Sequence, residues 1–259
     1  MKGSREEIQK RQSDILRFLR ERGTMEVTDL AEVLKVTPTT IRRDLVLLEK
    51  EGTVVRSFGK ASVVTHKALE NDLKPTDITD EKEVIRRAIA QKAAGYVKDG
   101  DVLYLNSSNT ASLVVEYLGD KHVTVITNNS MVLTRNRSKN VALILTGGEV
   151  YGMKYSLIGK FAADVVEKTM ANICILGTGG ISTTGEMTSY ILPEIQINQM
   201  MLQHCSGKKI IVADGSKIGT RQSFYYGNLS ETTNLITDKS ANAQYIAAYQ
   251  EAGIQVEIV

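Results

Sequence analysis

Val36-Thr37-Pro38-Thr39-Thr40-Ile41-Arg42-Arg43-Asp44-Leu45, continued by Leu48-Glu49 and Gly52, decides how the first part of the chain is read. Thr37 is placed to cap a helix, and Pro38 then falls at its first position, where a missing N–H costs nothing. Ile41, Leu45 and Leu48 recur at helical spacing and share one face, leaving Thr39, Thr40, Arg42 and Arg43 for solvent. Gly52 stops the helix. Upstream, Ile8, Ile15, Leu16 and Leu19 keep helical spacing as far as Gly23, and Met25-Glu26-Val27 reads as a short extended piece. Thr28 is placed to cap a helix carrying Leu30, Ala31 and Leu34, which Val36-Thr37-Pro38 breaks. Downstream, the β-branched runs 53–57 and 61–65 flank Phe58-Gly59-Lys60 as a hairpin. Two short helices split by a tight break, with a hairpin behind the second, make winged helix-turn-helix geometry.

In that geometry the second helix enters the major groove of a duplex, and its N-terminal turn comes closest to base edges. Arg42 and Arg43 suit bidentate contact with guanine, and Thr39 and Thr40 suit a thymine methyl or a phosphate. Thr37, at the helix N-terminus, is positioned for a phosphate. Arg56 and Lys60 on the hairpin would add backbone contacts that position the protein without reading sequence. Charge agrees: residues 1–60 hold 13 Lys/Arg against 10 Asp/Glu, whereas the remainder holds 19 against 20. A solvated helix face explains the two arginines taken alone; cap, break, exposed Thr/Arg and hairpin together point to double-stranded DNA.

This stretch resembles the signature of DeoR-type transcriptional regulators across the first 60 residues. Those regulators usually end the module with Arg-x-His-Gly-Gly-Ala, where Arg56-Ser57-Phe58-Gly59-Lys60-Ala61 stands here.

The predicted organisation is a DNA-binding domain over 1–62, a polar linker over 63–80 containing Pro75, and an α/β domain over 81–259. Apolar strand candidates at 102–105, 123–126, 141–145, 173–176, 209–213, 234–236 and 255–258 alternate with helical stretches at 81–97, 110–118, 160–170, 193–204 and 242–252. Such alternation predicts a mainly parallel sheet covered on both faces. Ligands of such sheets sit at the carboxyl ends of the strands. Small or polar clusters fall there: Asn106-Ser107-Ser108-Asn109-Thr110, Thr127-Asn128-Asn129, Thr146-Gly147-Gly148, Thr178-Gly179-Gly180 and Asp214-Gly215-Ser216-Lys217. Ser107, Ser108, Asn109 and Thr110 could ring a phosphate, with Lys217 as a point charge and Asn106, Asn128 and Asp214 facing sugar hydroxyls. The glycine pairs at 147–148 and 179–180 read equally as turns.

This half is similar to the C-terminal domain of the same family, itself similar to ribose-5-phosphate isomerase and glucosamine-6-phosphate deaminase, which implies a phosphorylated sugar effector. Asp214-Gly215-Ser216-Lys217-x-Gly219, Thr127-Asn128, Gly147-Gly148, Gly159, Glu194 and Thr237-Asp238 follow the family pattern. Three places depart from it. Asn106-Ser107-Ser108-Asn109-Thr110 replaces Asp-Ser-Gly-Thr-Thr, Gly179 replaces the Asp of Gly-x-Asp-Gly, and Asn198 stands where a Lys is expected. The effector-binding set is thus Asn106 to Thr110, Thr127, Asn128, Gly147, Gly148, Thr178, Gly179, Glu194, Asp214 and Lys217.

The reading is a repressor of a sugar-metabolism operon, released by effector and acting as a homodimer or homotetramer. One small basic module makes too few phosphate contacts for tight binding by itself. Two other readings stand beside it: a C-terminal domain that only oligomerises, and an active sugar-phosphate isomerase. The second needs a positioned carboxylate base, and Gly179 occupies the place where one is expected. Hydrophobic residues at 42% and charged residues at 24% suit a packed core. Without an apolar run of roughly 18 residues or an apolar signal core, a cytoplasmic protein and no membrane partner are expected. Cys174 and Cys205 read as free thiols, and the spacing of His66, His122 and His204 predicts no metal site and no cofactor.

Overall fold

The computed structural model describes residues 5–22, 24–50, 54–57, 60–63, 80–151 and 155–259. They form two compact units, Met1–Asp77 and Ile78–Val259. The expected linker, 63–80, lies almost wholly outside the described residues.

The first unit runs α1 (Arg5–Arg22), β1 (Thr24–Glu26), α2 (Val27–Val33), α3 (Pro38–Lys50), β2 (Val54–Ser57) and β3 (Lys60–Val63). β3 pairs antiparallel with both β2 and β1. A two-stranded hairpin is marginal alone; here β1 supplies the third strand. Ile15 and Leu19 of α1, Leu30 and Ala31 of α2, and Ile41, Leu45 and Leu48 of α3 bury together against Val54 and Ala61. The apolar positions spaced along α3 therefore face inward as their periodicity requires.

The second unit runs α4 (Asp80–Ala94), β4 (Val102–Leu105), α5 (Asn109–Leu113), β5 (Val123–Thr127), β6 (Val141–Leu145), β7 (Glu149–Tyr151), β8 (Ser156–Ile158) and α6 (Lys160–Glu167). It continues with β9 (Ala171–Gly177), β10 (Gly180–Ile181), β11 (Glu186–Ser189), α7 (Leu192–Gln203), β12 (Cys205–Val212), β13 (Phe224–Asn228), β14 (Asn234–Thr237), α8 (Ala243–Glu251) and β15 (Gln255–Ile258). Seven strands form one sheet in the order β15-β14-β12-β9-β4-β5-β6, with every neighbouring pair parallel. Its strands are apolar throughout because both faces are covered. In β4, Leu103 and Leu105 pack toward α4 and α5, while Tyr104 packs toward α6 and α7.

Five strands lie outside the expected set. β7 and β8 form a hairpin, and β10, β11 and β13 form a small antiparallel sheet. These strands are two to five residues long, and β7 is fully exposed. Pairing with distant segments, not a local apolar rhythm, makes them strands.

The order of the main sheet reverses at β4 and β9: the chain adds β5 and β6 on one side, then β9, β12, β14 and β15 on the other. Crevices form outside such a switch point, at the carboxyl ends of the two strands. β9 ends there in Gly177, where an added Cβ would lie 2.0 Å from Ser108 Oγ and 2.2 Å from Ser108 Cβ. Gly177→Ala is accordingly expected to destabilise the second unit by about 1–3 kcal/mol through overpacking. Calorimetric melting checks this, and adding Ser108→Gly should recover part of the loss.

Candidate functional site

The helix-turn-helix is built by two different caps. α2 ends with Val36 N–H bonded to Ala31 O (3.0 Å) and Lys35 N–H to Glu32 O (3.2 Å). Lys35 sits between them at φ 53°, the left-handed residue of a Schellman ending. A lysine there gives no glycine-like signal, so the sequence locates the break but not its form. α3 opens as expected: Thr37 Oγ1 accepts the Thr40 N–H at 3.2 Å and lies 2.9 Å from Thr40 Oγ1. At α2 the expected cap fails. The N-cap position is Glu26, without a side-chain cap, and Thr28 lies inside the first turn.

Thr37, Thr39, Arg42 and Arg43 are exposed along one face of α3, and Thr40 is half-buried. Neither arginine forms an ion pair with the described residues. Opposite them, Asp44 is only 3% exposed. It takes a two-pronged bond from Arg11 of α1, Nε to Oδ2 at 2.5 Å and Nη2 to Oδ1 at 3.1 Å. This clamp fixes the rotation of α3 about its axis. Arg56 falls on β2 opposite Ala61, and Lys60 opens β3 opposite Ser57. Their side chains, and the hairpin tip at Phe58 and Gly59, lie outside the described residues.

In the second unit the switch point is closed by one side chain. Asn106, just past β4, donates from Nδ2 to Gly177 O (2.9 Å) and to Asn198 Oδ1 (3.1 Å). Its Oδ1 accepts from Gly177 N–H (2.9 Å) and Ser108 N–H (3.3 Å). An amide offers two donors and two lone pairs, and all four are engaged. Asn106 therefore organises the crevice, and no capacity is left for the sugar hydroxyl expected of it. Ser108 caps α5, its Oγ accepting the Ala111 N–H at 3.4 Å. Ser107 and Thr110 are buried beside it, Ser108 and Asn109 half-buried.

Asn129, quoted in its cluster but left out of the expected site set, also ties the loops. Its Nδ2 donates to Ser108 O (3.1 Å), its Oδ1 accepts from Met131 N–H, and its own N–H goes to Thr127 Oγ1 (3.0 Å). Asn128 donates to Leu157 O at 3.2 Å, whereas its Oδ1 is buried without a partner. Ser156 of β8 is a further buried residue that strand-end reasoning missed; its Oγ also lacks a partner. No strand pattern announced β8, so nothing in the sequence pointed there.

The remaining positions divide. Thr178 Oγ1 lies 3.1 Å from both Gly180 O and Thr188 O, bracing the turn after β9. A Cβ at Gly179 would come within 3.0 Å of Thr188 O, 3.2 Å of Ser189 Cα and 3.3 Å of Gln222 Cγ, so a side chain at this position, where the family pattern has a carboxylate, would fit only tightly. Gly147 and Gly148 sit two strands from β4, at the end of edge strand β6, with φ 69° and 105°. A Cβ on Gly148 would meet Ile158 O at 2.3 Å. Both lie in the turn between β6 and the β7–β8 hairpin. After β12, Asp214 Oδ1 accepts the Ser216 N–H at 3.1 Å and also bonds its hydroxyl. Lys217 is half-buried and pairs with no carboxylate among the described residues. Asp238 pins this turn, accepting Gly215 N–H at 2.6 Å and Ser240 N–H at 2.9 Å. Burial pushes the Asp238 carboxyl up, but bonds from Ser240 and Gly215 outweigh it and hold it below the usual range.

Glu194, in the first turn of α7, is 3% exposed, and its Oε1 has no partner. One turn on, buried Asn198 meets Asn106, so two of the departures from the family pattern are bonded to each other. Cys174 and Cys205 are both buried and free. Among the described residues no cluster of His, Cys, Asp and Glu could hold a metal ion, and no helix is long and apolar enough to cross a membrane.

Comparisons with known proteins match both units. Residues 11–67 fit the family model described as a DeoR-like helix-turn-helix domain, and residues 81–239 the one described as the DeoR C terminal sensor domain. A relative from Bacillus subtilis (strain 168), named the uncharacterized HTH-type transcriptional regulator YulB, is 31% identical over 253 residues, 97% of each chain. The lactose phosphotransferase system repressor of Streptococcus mutans serotype c is 32% identical over 236 residues, 89% of this chain and 92% of that one. Among solved structures, ribose 5-phosphate isomerase A of Methanocaldococcus jannaschii aligns at 17% identity and TM-score 0.38 over 52% of this chain and 54% of its own. That likeness is too partial to bear on function.

Replacing Arg11 by Ala strands Asp44 as a buried unpaired charge, a change worth about 3–5 kcal/mol when burial is complete and less here because Arg11 is partly exposed. The expected outcome is a lower melting temperature of the first unit, with partial recovery in Arg11→Ala/Asp44→Leu. A melting temperature equal to wild type in the single variant would show that the clamp does not hold α3.

Proposed function

The chain belongs to the DeoR family of transcriptional regulators, and from that premise we propose that it represses a sugar-metabolism operon and is released by a phosphorylated sugar or related metabolite. The observation that carries the DNA half is the division of α3: one face is locked into the core by Ile41, Leu45 and Leu48, the other presents Thr39, Arg42 and Arg43. A rigid helix holding polar side chains outward is what reading base edges requires. Thr37 and Thr40 are assigned to phosphate at the helix N-terminus, Arg56 and Lys60 to backbone contacts from the wing.

The effector half rests on the crevice at the switch point. Ser107, Ser108, Asn109 and Thr110 are assigned to a phosphate, with Lys217 as counter-charge and Thr178 bracing the opposite turn. Asn128 and Glu194 take the rest of the ligand, and Asn106 holds the crevice without touching it. Catalysis is not part of the proposal: isomerisation needs a carboxylate base, and position 179, where the family pattern has one, is a glycine. The name of the Streptococcus mutans relative supports repression and a sugar context. Regulation requires only that the effector favour one conformer over another by about 1–3 kcal/mol. A homodimer or homotetramer follows from the small footprint of one winged module, because paired modules multiply the phosphate contacts.

Fluorescence anisotropy with the duplex upstream of the chain's own gene tests both halves. Arg42→Ala is expected to weaken that duplex by about 1–3 kcal/mol relative to wild type. Lys217→Ala is expected to retain duplex binding while losing release by sugar phosphates. Absence of any preference for that duplex over random competitor, with or without sugar phosphates, would overturn the function proposed.

A further inference from the structure

Glu194 raises a question that the assigned roles leave open. Its side chain is nine-tenths buried and more, yet Oε1 receives no hydrogen bond, and no lysine, arginine or histidine pairs with it among the described residues. Burying an ionised carboxylate costs several kcal/mol unless a counter-charge and donors replace water. The dipole of α7 helps, since Glu194 sits in its first turn, but that effect is worth only about 0.3–1 kcal/mol. Two uncharged polar neighbours do not neutralise it. Asn198, one turn along the same face, is uncharged and holds Asn106, and the Tyr226 hydroxyl is directed at Gly177 O (3.5 Å).

Two more buried oxygens are without donors close by in the fold, Asn128 Oδ1 and Ser156 Oγ. Asn128 bonds Leu157, Ser156 bridges to Asn129, and α7 packs against β8, which carries Ser156 and Leu157. The three orphaned oxygens thus stand on elements in mutual contact around the carboxyl ends of β4 and β5. A water could serve Asn128 and Ser156 but brings no charge to Glu194. A sugar hydroxyl has the same shortcoming. A primary ammonium brings a positive charge and three donors with no lone pair to satisfy.

We infer that the effector carries a primary amine, held by Glu194 with Asn128 and Ser156, at the end of the ligand away from its phosphate. This rests on the sugar-phosphate reading above and narrows it to an amino sugar phosphate or a similar amino-polyol phosphate.

Isothermal titration calorimetry on the full chain tests it with matched pairs: glucosamine 6-phosphate against glucose 6-phosphate, and galactosamine 6-phosphate against galactose 6-phosphate. At least one amine is expected to bind tenfold or more tighter than its hydroxyl partner, and Glu194→Gln to abolish that preference. Equal or reversed affinity within both pairs, with binding observed, overturns the amine and leaves the sugar-phosphate reading standing. A preference that survives Glu194→Gln overturns the assignment to this carboxylate. Binding of none of the four overturns both. The comparison of ligands on unmodified protein keeps the test decisive should the variant fail to fold.

Discussion

One side-chain amide sets the geometry on which the second unit's crevice depends. Asn106 closes two hydrogen bonds on the backbone of Gly177, joining the loops that leave β4 and β9 where the strand order reverses. Parting those loops would strand several buried polar groups at once, each costing about 1–3 kcal/mol unless water replaced the lost bond. The same junction needs a glycine at 177 so that Ser108 can lie against it, and Ser108 in turn caps α5. Clamp, close approach and cap therefore stand or fall together.

The junction also explains why departures from the family pattern are grouped. With Asp at 106 and Lys at 198, as the pattern has them, a buried ion pair would face the crevice; here two neutral amides keep the contact and lose both charges. A neutral pair carries less desolvation cost than an ionic one. Its consequence falls on Glu194, which has no cation paired with it among the described residues.

In the first unit a comparable economy operates at the surface of α3. Arginines at 42 and 43 remain available because the one acidic residue beside them, Asp44, is turned inward and held by Arg11. Had Asp44 faced outward, it would have drawn one of those guanidinium groups away from phosphate and base. A residue that looks like part of a polar run is in fact a core pin, and the exposed face is cationic as a result.

Much of this was legible in the amino-acid order, because it depends on neighbours a few residues apart. The spacing of Ile41, Leu45 and Leu48, the cap at Thr37, the apolar strands of the parallel sheet and the polar clusters after them all follow from helical and strand periods. What was not legible depends on partners distant in the chain. Asn106 looked like a ligand residue until Gly177, Ser108 and Asn198 were seen to engage all of its hydrogen-bonding capacity, and no local pattern shows that Asp44 turns inward to Arg11. Gly147 and Gly148 read equally as cradle or turn, and only the packed structure brings Ile158 O against Gly148. β8 and its Ser156 gave no local signal, since three residues become a strand only when β7 pairs with them. Local periodicity determines which segments are helix or strand and which faces are apolar; only the packed structure decides which polar groups are satisfied from within and which, like Glu194, are left waiting for a partner.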